Sequence, residues 1–226
     1  MDALVFDFDG LLLDTETPEF VTVAAVFADH GLDLDRDWWR SEVIGTTDHP
    51  HWSEILAERL GCELPDREEL LARRLRAHHA LIAAEQLRPG VVNLLDAAAR
   101  EGIPCAVASS SSLEWVDGHL ERLGVRHRFA VLRTREDVGA GRTKPAPDVY
   151  LAACEAVGAA PSRSVALEDS QFGVAAALAA GMAVVGVASG MTAGLRLGAH
   201  LEVVSLAGVA LDDLRRLVAA DRASRD

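Results

Sequence analysis

With 226 residues, 22 basic and 35 acidic side chains and a net charge of −13, the chain has room for one large domain, or one domain with a small insert. Half of its residues are apolar and a quarter are charged, which excludes global disorder and provides for a packed core. Aromatics make up only 5%, which argues against an aromatic-rich β-sandwich, and a pI of about 5.0 leaves no basic footprint for nucleic acid.

Acidity speaks for solubility rather than for a function. An acidic protein that handles anions must gather its few cations in one place or use a metal. The cysteines, Cys62, Cys105 and Cys154, are too far apart for a zinc or redox motif and odd in number, so they read as reduced thiols. The start, MDALVFDFDG, has no basic leader and carries acids within its apolar stretch, unlike a signal peptide. No apolar run reaches the ~20 residues of a bilayer span. The expectation is a cytoplasmic protein with neither membrane nor nucleic acid as partner.

In chain order, residues 3–6 (ALVF) form a short apolar run that stops at Asp7, the pattern of a parallel strand buried on both faces. Similar runs recur at 103–108, 129–132, 164–167, 183–187 and 200–204. Helical patterns lie between them at 90–101, 112–123, 146–157 and 171–180, the second and third ending at Gly124 and Gly158 as C-cap glycines would. This alternation predicts an α/β fold: a Rossmann-like parallel sheet with helices on both faces.

Residues 15–85 break the rhythm with helical patterns alone, at 17–30, about 36–43, 50–60 and 66–86. Five of the eight histidines fall here, as do Trp38, Trp39 and Trp52. The expectation is a helical insert after the first strand, returning through Arg88-Pro89-Gly90.

Four short constellations carry chemistry. Asp7-Phe8-Asp9-Gly10 follows the first strand, where ligands of open α/β sheets bind. It reads either as a hard-oxygen cation site or as a solvated acidic turn. Ser109 to Ser112 follow the second core strand, as a phosphate cradle at a helix N-terminus or as plain N-caps. Lys144-Pro145-Ala146-Pro147-Asp148 offers a positive charge before a proline-opened helix, or a surface lysine. Glu168-Asp169-Ser170 ends the strand run 164–167, as a second acid pair or as an N-cap. Each signal is weak alone. Their shared place, at carboxyl ends of expected strands, predicts one cleft suited to a dication and a phosphate dianion.

In this order the four motifs resemble the haloacid dehalogenase superfamily. The insert after DFDGLLLDTE is similar to the small helical cap of the group that contains β-phosphoglucomutases and small phosphatases. The resemblance covers essentially the whole chain. It implies a discontinuous core, 1–14 with 87–226, and a cap at 15–86. It also implies a Mg²⁺-dependent phosphomonoester hydrolase acting on a small phosphorylated metabolite, such as a sugar phosphate, through an aspartyl-phosphate.

By that resemblance Asp7 is the nucleophile and Asp9 the general acid and base. Ser109, the Ser110 N–H and Lys144 bind phosphate, and Lys144 also offsets Asp7. Mg²⁺ is held by the Asp7 carboxylate, the Asp9 backbone carbonyl and Asp169, with Glu168 helping directly or through water. Glu16, Thr46 and Thr47 are expected as substrate contacts from the cap, with hinges near 13–17 and 84–90.

The main alternative is a phosphomutase of the β-phosphoglucomutase kind. Such mutases carry a cap histidine where this chain has about Glu19, and a cap-loop arginine where it has Gly45-Thr46-Thr47-Asp48-His49. Arg73, Arg74 and Arg76 are too close along a helix to face one cleft together, and a solvated face is expected for them. His78 and His79 are expected to be surface or packing residues, since neighbours on a helix point about 100° apart. Trp38 and Trp39 are expected in the cap core. A haloacid dehalogenase would need no Asp9, a receiver domain would be shorter with its acid pair upstream, and an inactive binding protein would lack motif residues. A monomer is expected, because the cap blocks part of the cleft by itself.

Overall fold

The computed structural model describes residues 1–45, 49–139 and 141–225. Six strands, β1 (Leu4–Phe6), β2 (Cys105–Ala108), β3 (Val131–Arg133), β4 (Val165–Glu168), β5 (Ala183–Val187) and β6 (Leu201–Val203), form one sheet in the order β3-β2-β1-β4-β5-β6. All neighbours are parallel. The order reverses at β1: the chain steps outward to β2 and β3, then returns to the other side of β1 as β4. Such a reversal opens a crevice at the carboxyl ends of the strands.

The strands are apolar on both faces because both are covered. Leu4 and Phe6 face one way, with Val107, Leu132 and Leu167. They pack on α5 (Val91–Arg100), α6 (Leu113–Arg122) and α10 (Leu211–Arg225), which supply Leu94, Val116, Leu120, Leu214 and Val218. Val5, Ala106 and Ala166 face the other way, against α8 (Asp148–Ala156) and α9 (Gln171–Ala179), with Val149, Tyr150, Ala153 and Val174. The alternation along β1 follows the two-residue period of a strand. A single-turn helix, Arg135–Val138, precedes α8, and we number it α7 in chain order. Neither α7 nor α10 is among the helices expected from the sequence.

Between β1 and α5 the described residues form four helices: α1 (Glu16–Asp29), α2 (Arg36–Glu42), α3 (Trp52–Leu60) and α4 (Arg67–Ala84). They close on an apolar cluster of their own, with Val23, Phe27, Trp39, Ile44, Trp52 and Leu56, to which Met191 adds a contact from the loop after β5. The α3 N-terminus is fixed by a capping box of His51 and Glu54, and its C-terminus by Gly61 at φ 68°. The two connecting segments run side by side. Leu13 bridges Leu87, and Arg88 pairs with Asp14 at 2.9 Å. Among the described residues no helix is long and apolar enough to cross a membrane.

Candidate active site

The chain turns out of β1 directly into Asp7, whose N–H donates to the Leu167 carbonyl at 3.0 Å. Register sets the rest. Phe6 lies opposite Val107 and Leu167, so the residues after β1, β2 and β4 emerge at one rim. There a cleft of about 500 Å³ is lined by Asp7, Asp9, Ser109, Ser110, Lys144 and Asp169, with Glu16 among the residues from the helical insert. The sequence-expected residues thus converge. Thr46 and Thr47 lie outside the described residues.

Lys144 is buried, not a surface lysine, and its Nζ is paired with the Asp7 carboxylate and with Glu168, the latter at 2.6 Å. Ligand oxygens of Asp7, Glu168 and Asp169 lie within 4.8 Å of one another. Three buried acids around one lysine leave an excess of negative charge. Burial pushes the Asp7 carboxyl up to about 8, with Glu168 and Asp9 adding to the rise and Lys144 opposing it. Burial, then Asp7 and Glu168, holds Asp169 well above the usual carboxylate range. Glu16 is raised as well, by burial and then by Asp9 and Glu19. Lys144 is held above its ordinary value, because the two acids outweigh its burial.

The donor set fits a hard divalent cation such as Mg²⁺. The buried Asp169 carboxylate stands beside Asp7, close enough for the two to share an ion. Gly10, at φ +77°, leaves the space: a Cβ there would come 1.9 Å from Asp169 Oδ2. Glu168 differs. Its Oε1 accepts from Tyr150 Oη and Lys144 Nζ, and its Oε2 accepts from the Asp169 N–H at 3.2 Å and Ser170 Oγ at 3.3 Å. A carboxylate has about four lone-pair sites, so protein donors already fill them. Glu168 anchors Lys144 and the β4–α9 turn.

The Asp9 side chain points away from the acid cluster. Its Oδ1 accepts from Trp115 Nε1 at 2.9 Å and its Oδ2 from Ser111 Oγ at 2.6 Å, with Ser109 Oγ at 3.5 Å. Ser109 Oγ in turn accepts from the Ser111 N–H at 3.0 Å, and Ser110 Oγ accepts from the Lys144 N–H at 3.3 Å. All four serines of the run line the cleft, and Ser112 also caps α6. Likewise Ser170 caps α9, accepting from the Gly173 N–H at 3.1 Å, which leaves Asp169 to the site.

Several cleft residues escaped the sequence reading. Trp115 joins Ser111, a member of the expected serine run, in holding Asp9, and Arg135 sits at the rim. Arg74 corrects an expectation. It does not lie on a solvated face but is 9% exposed, lines the cleft and pairs with Glu19. Arg73 instead pairs outward with Asp29 at 2.8 Å. The helix turns the two neighbours apart, as the spacing argument required, and one of them faces in. His78 is a packing residue, stacked on Trp115 with centroids 5.9 Å apart, and it also borders the cleft, as does exposed His79. Trp39 belongs to the insert's apolar cluster, with Trp38 packed against it.

Comparison with known proteins agrees with this geometry. Residues 1–181 match the family model for haloacid dehalogenase-like hydrolases. The chain is 41% identical over 180 residues to the candidate phosphatase YhcW of Bacillus subtilis, covering 80% of each chain. It is 32% identical to the phosphorylated carbohydrates phosphatase of Thermotoga maritima, covering 80% of this chain and 82% of that one. A solved structure of a CbbY mutant from Rhodobacter sphaeroides, in complex with xylulose-(1,5)bisphosphate, superposes with a TM-score of 0.71 at 28% identity, covering 93% of this chain and 96% of that one. A family match across four-fifths of the sequence, joined to a parallel sheet whose acids and lysine meet at the β1 switch point, places this chain in the haloacid dehalogenase-like hydrolase family.

Proposed function

We propose that the chain is a Mg²⁺-dependent phosphatase that releases inorganic phosphate from a small phosphorylated carbohydrate. The observation that carries this reading is the meeting of Asp7, Lys144 and Asp169 in one buried group beneath the cleft. A nucleophilic carboxylate, a cation beside it and a second acid able to share a divalent ion with it are what transfer of a phosphoryl dianion requires. The phosphorylated carbohydrates phosphatase of Thermotoga maritima supports the substrate class.

On this reading an Asp7 carboxylate oxygen attacks phosphorus, and the ester oxygen leaves with a proton from Asp9. Asp9, now ionised, takes a proton from water as that water attacks the aspartyl-phosphate. Phosphate departs and the Asp7 carboxylate is restored. Ser109, the Ser110 N–H and Lys144 hold the phosphoryl oxygens. Asp7, Asp169 and the Asp9 backbone carbonyl would hold Mg²⁺, with Glu168 acting through Lys144 or a bound water. When bound, the ion supplies charge that lets the phosphate dianion approach two carboxylates.

Helices α1 to α4 act in this scheme as a cap, residues 15–86 in all, over a core of 1–14 and 87–226. The paired segments around Leu13 and Leu87 serve as the hinge, and Glu16 contacts the substrate. Closure removes water from the reacting group. On this reading the chain works as a monomer, since its own cap completes the cleft. The test is a panel of phosphomonoesters with Mg²⁺, ranked by kcat/KM. Release of phosphate from sugar or sugar-alcohol phosphates is expected. Interconversion of sugar phosphates with no phosphate released would instead make the protein a mutase.

A further inference from the structure

Opposite the acid cluster, the cap side of the cleft carries a second polar group. Glu19 on α1 meets Arg74 and His78 on α4: Arg74 pairs with Glu19 Oε2, and His78 Nε2 lies 3.2 Å from the same oxygen. Arg74 Nε also donates to Thr22 Oγ1 at 3.2 Å. The Arg74 and His78 side chains are 9% and 8% exposed, yet both border the cleft. Both ring nitrogens of His78 are buried without a hydrogen-bond partner, Nε2 standing near Glu19 but outside hydrogen-bond geometry. A buried imidazole with neither nitrogen hydrogen-bonded is unusual, and this one belongs to a residue that borders the cleft.

Charge decides what such a ligand can be. The cleft is lined by the acids Asp7, Asp9, Glu16, Glu19 and Asp169, against Lys144, Arg74 and Arg135. Lys144 is already paired with Asp7, and Arg74 with Glu19. A second phosphate docking at the cap end would have to displace the Glu19 carboxylate from Arg74 and then remain beside it. Juxtaposed like charges cost several kcal/mol. A hydroxyl faces no such cost. It can donate to Glu19 and accept from Arg74 or from the imidazole, which burial keeps below its ordinary pKa and so neutral.

We propose that Glu19 is a specificity-determining residue: by occupying Arg74 it makes the cap end of the cleft a reader of hydroxyl groups and turns away substrates with a second phosphate. The substrate is then a polyhydroxylated monophosphate with an uncharged far end. This rests on the phosphatase reading for its reaction, and it separates the chain from the CbbY mutant solved with a bisphosphate.

Two measurements test it. In Mg²⁺-supported turnover, kcat/KM for a pentose or hexose monophosphate should exceed that for the matching bisphosphate by about 100-fold. Glu19→Gln, close to isosteric, should shrink that ratio about tenfold or more, chiefly through a lower KM for the bisphosphate. Calorimetric binding of the same two ligands to the Mg²⁺-loaded Asp7→Asn protein reads the preference without turnover. There Glu19→Gln should tighten the bisphosphate alone. A wild-type chain that takes the bisphosphate as well as the monophosphate, or a Glu19→Gln ratio within about twofold of wild type in both assays, overturns the proposal. Absence of phosphate release from every ester overturns the phosphatase reading instead, while the binding ratio still decides the role of Glu19.

Discussion

The indole Nε1 of Trp115 donates to Oδ1 of Asp9 at 2.9 Å, which ties a side chain on the first turn of α6 to the proposed general acid and base. Ser111 Oγ holds the other oxygen at 2.6 Å. The Trp115 ring stacks on His78 of α4 with an interplanar angle of 11° and meets His119 edge-on at 4.2 Å. The orientation of Asp9 is therefore fixed from the sheet side and from the helical insert at once. Trp115→Phe keeps a ring against both histidines and removes only the N–H. A hydrogen bond to a charged group contributes about 1.5–3 kcal/mol, so kcat is expected to fall about 10- to 100-fold with KM nearly unchanged. Steady-state kinetics on one sugar phosphate check this. A change in KM alone would mean that Trp115 only packs the cap.

Gly10 makes a second prediction. Its φ of +77° is costly for any side chain, and its missing Cβ lies where Asp169 Oδ2 stands, 1.9 Å away. Gly10→Ala must push the Asp169 carboxylate aside or shift the turn after β1. The Mg²⁺ concentration for half-maximal activity is expected to rise about tenfold or more, with about 1–3 kcal/mol of stability lost to the strained backbone. A Mg²⁺ titration of activity and a denaturant melt measure the two effects separately.

Much of this architecture is written in local sequence. All six strand runs and all eight expected helices have counterparts, because a parallel strand buried on both faces leaves a largely apolar run, and the runs at 3–6, 103–108 and 164–167 stop at Asp7, Ser109 and Glu168. The acid and serine motifs were legible for the same reason, since they sit where strands stop, whereas Lys144 lies in the loop before α8 and was legible from the proline-opened helix that follows it. Helix α10 was missed although Leu211, Leu214 and Val218 repeat at helical spacing, because nearly everything between them is charged or small. Trp115 and Arg74 were missed for a deeper reason. Their roles depend on which neighbour each helix packs against, and in the Arg73-to-Arg76 run only the docking of α4 on α1 decides that Arg74 turns inward.

The thiols offer a check on the core that is independent of activity. Cys105 begins β2 and faces the α5 and α6 layer, where burial pushes its pKa up to about 12, and burial pushes Cys154 up to about 11. Cys62 is exposed. Since the thiolate is the reactive form, a thiol-specific chromogenic disulfide at pH 8 is expected to label Cys62 alone in the folded protein and all three cysteines after denaturation. Rapid labelling of Cys105 under native conditions would contradict the packing of β2 against α5 and α6.

The acid cluster predicts how pH and metal act together on stability. The Asp7 pKa stands near 8 against an ordinary 3.8, and Asp169 is raised as well. A carboxyl raised on folding binds its proton more tightly in the folded state. Its stabilising contribution is whole below the unfolded value and is lost as pH climbs toward the folded one. Lys144 is raised too, but from 10.5, so its contribution stays whole across this window. Without metal, the site should therefore cost stability progressively between about pH 4 and pH 8. A divalent cation bound to the ionised acids should restore it, and the more so the more acids are ionised. The rise in Tm on adding Mg²⁺ is expected to be larger at pH 8 than at pH 5. Asp169→Asn removes one of the repelling carboxylates. It should melt higher than wild type at pH 8 without metal, yet gain little from Mg²⁺. Differential scanning fluorimetry of both proteins at the two pH values, with Mg²⁺ and with a chelator, measures all of this. An equal Mg²⁺ effect at both pH values would show that the ion is held elsewhere than on Asp7 and Asp169.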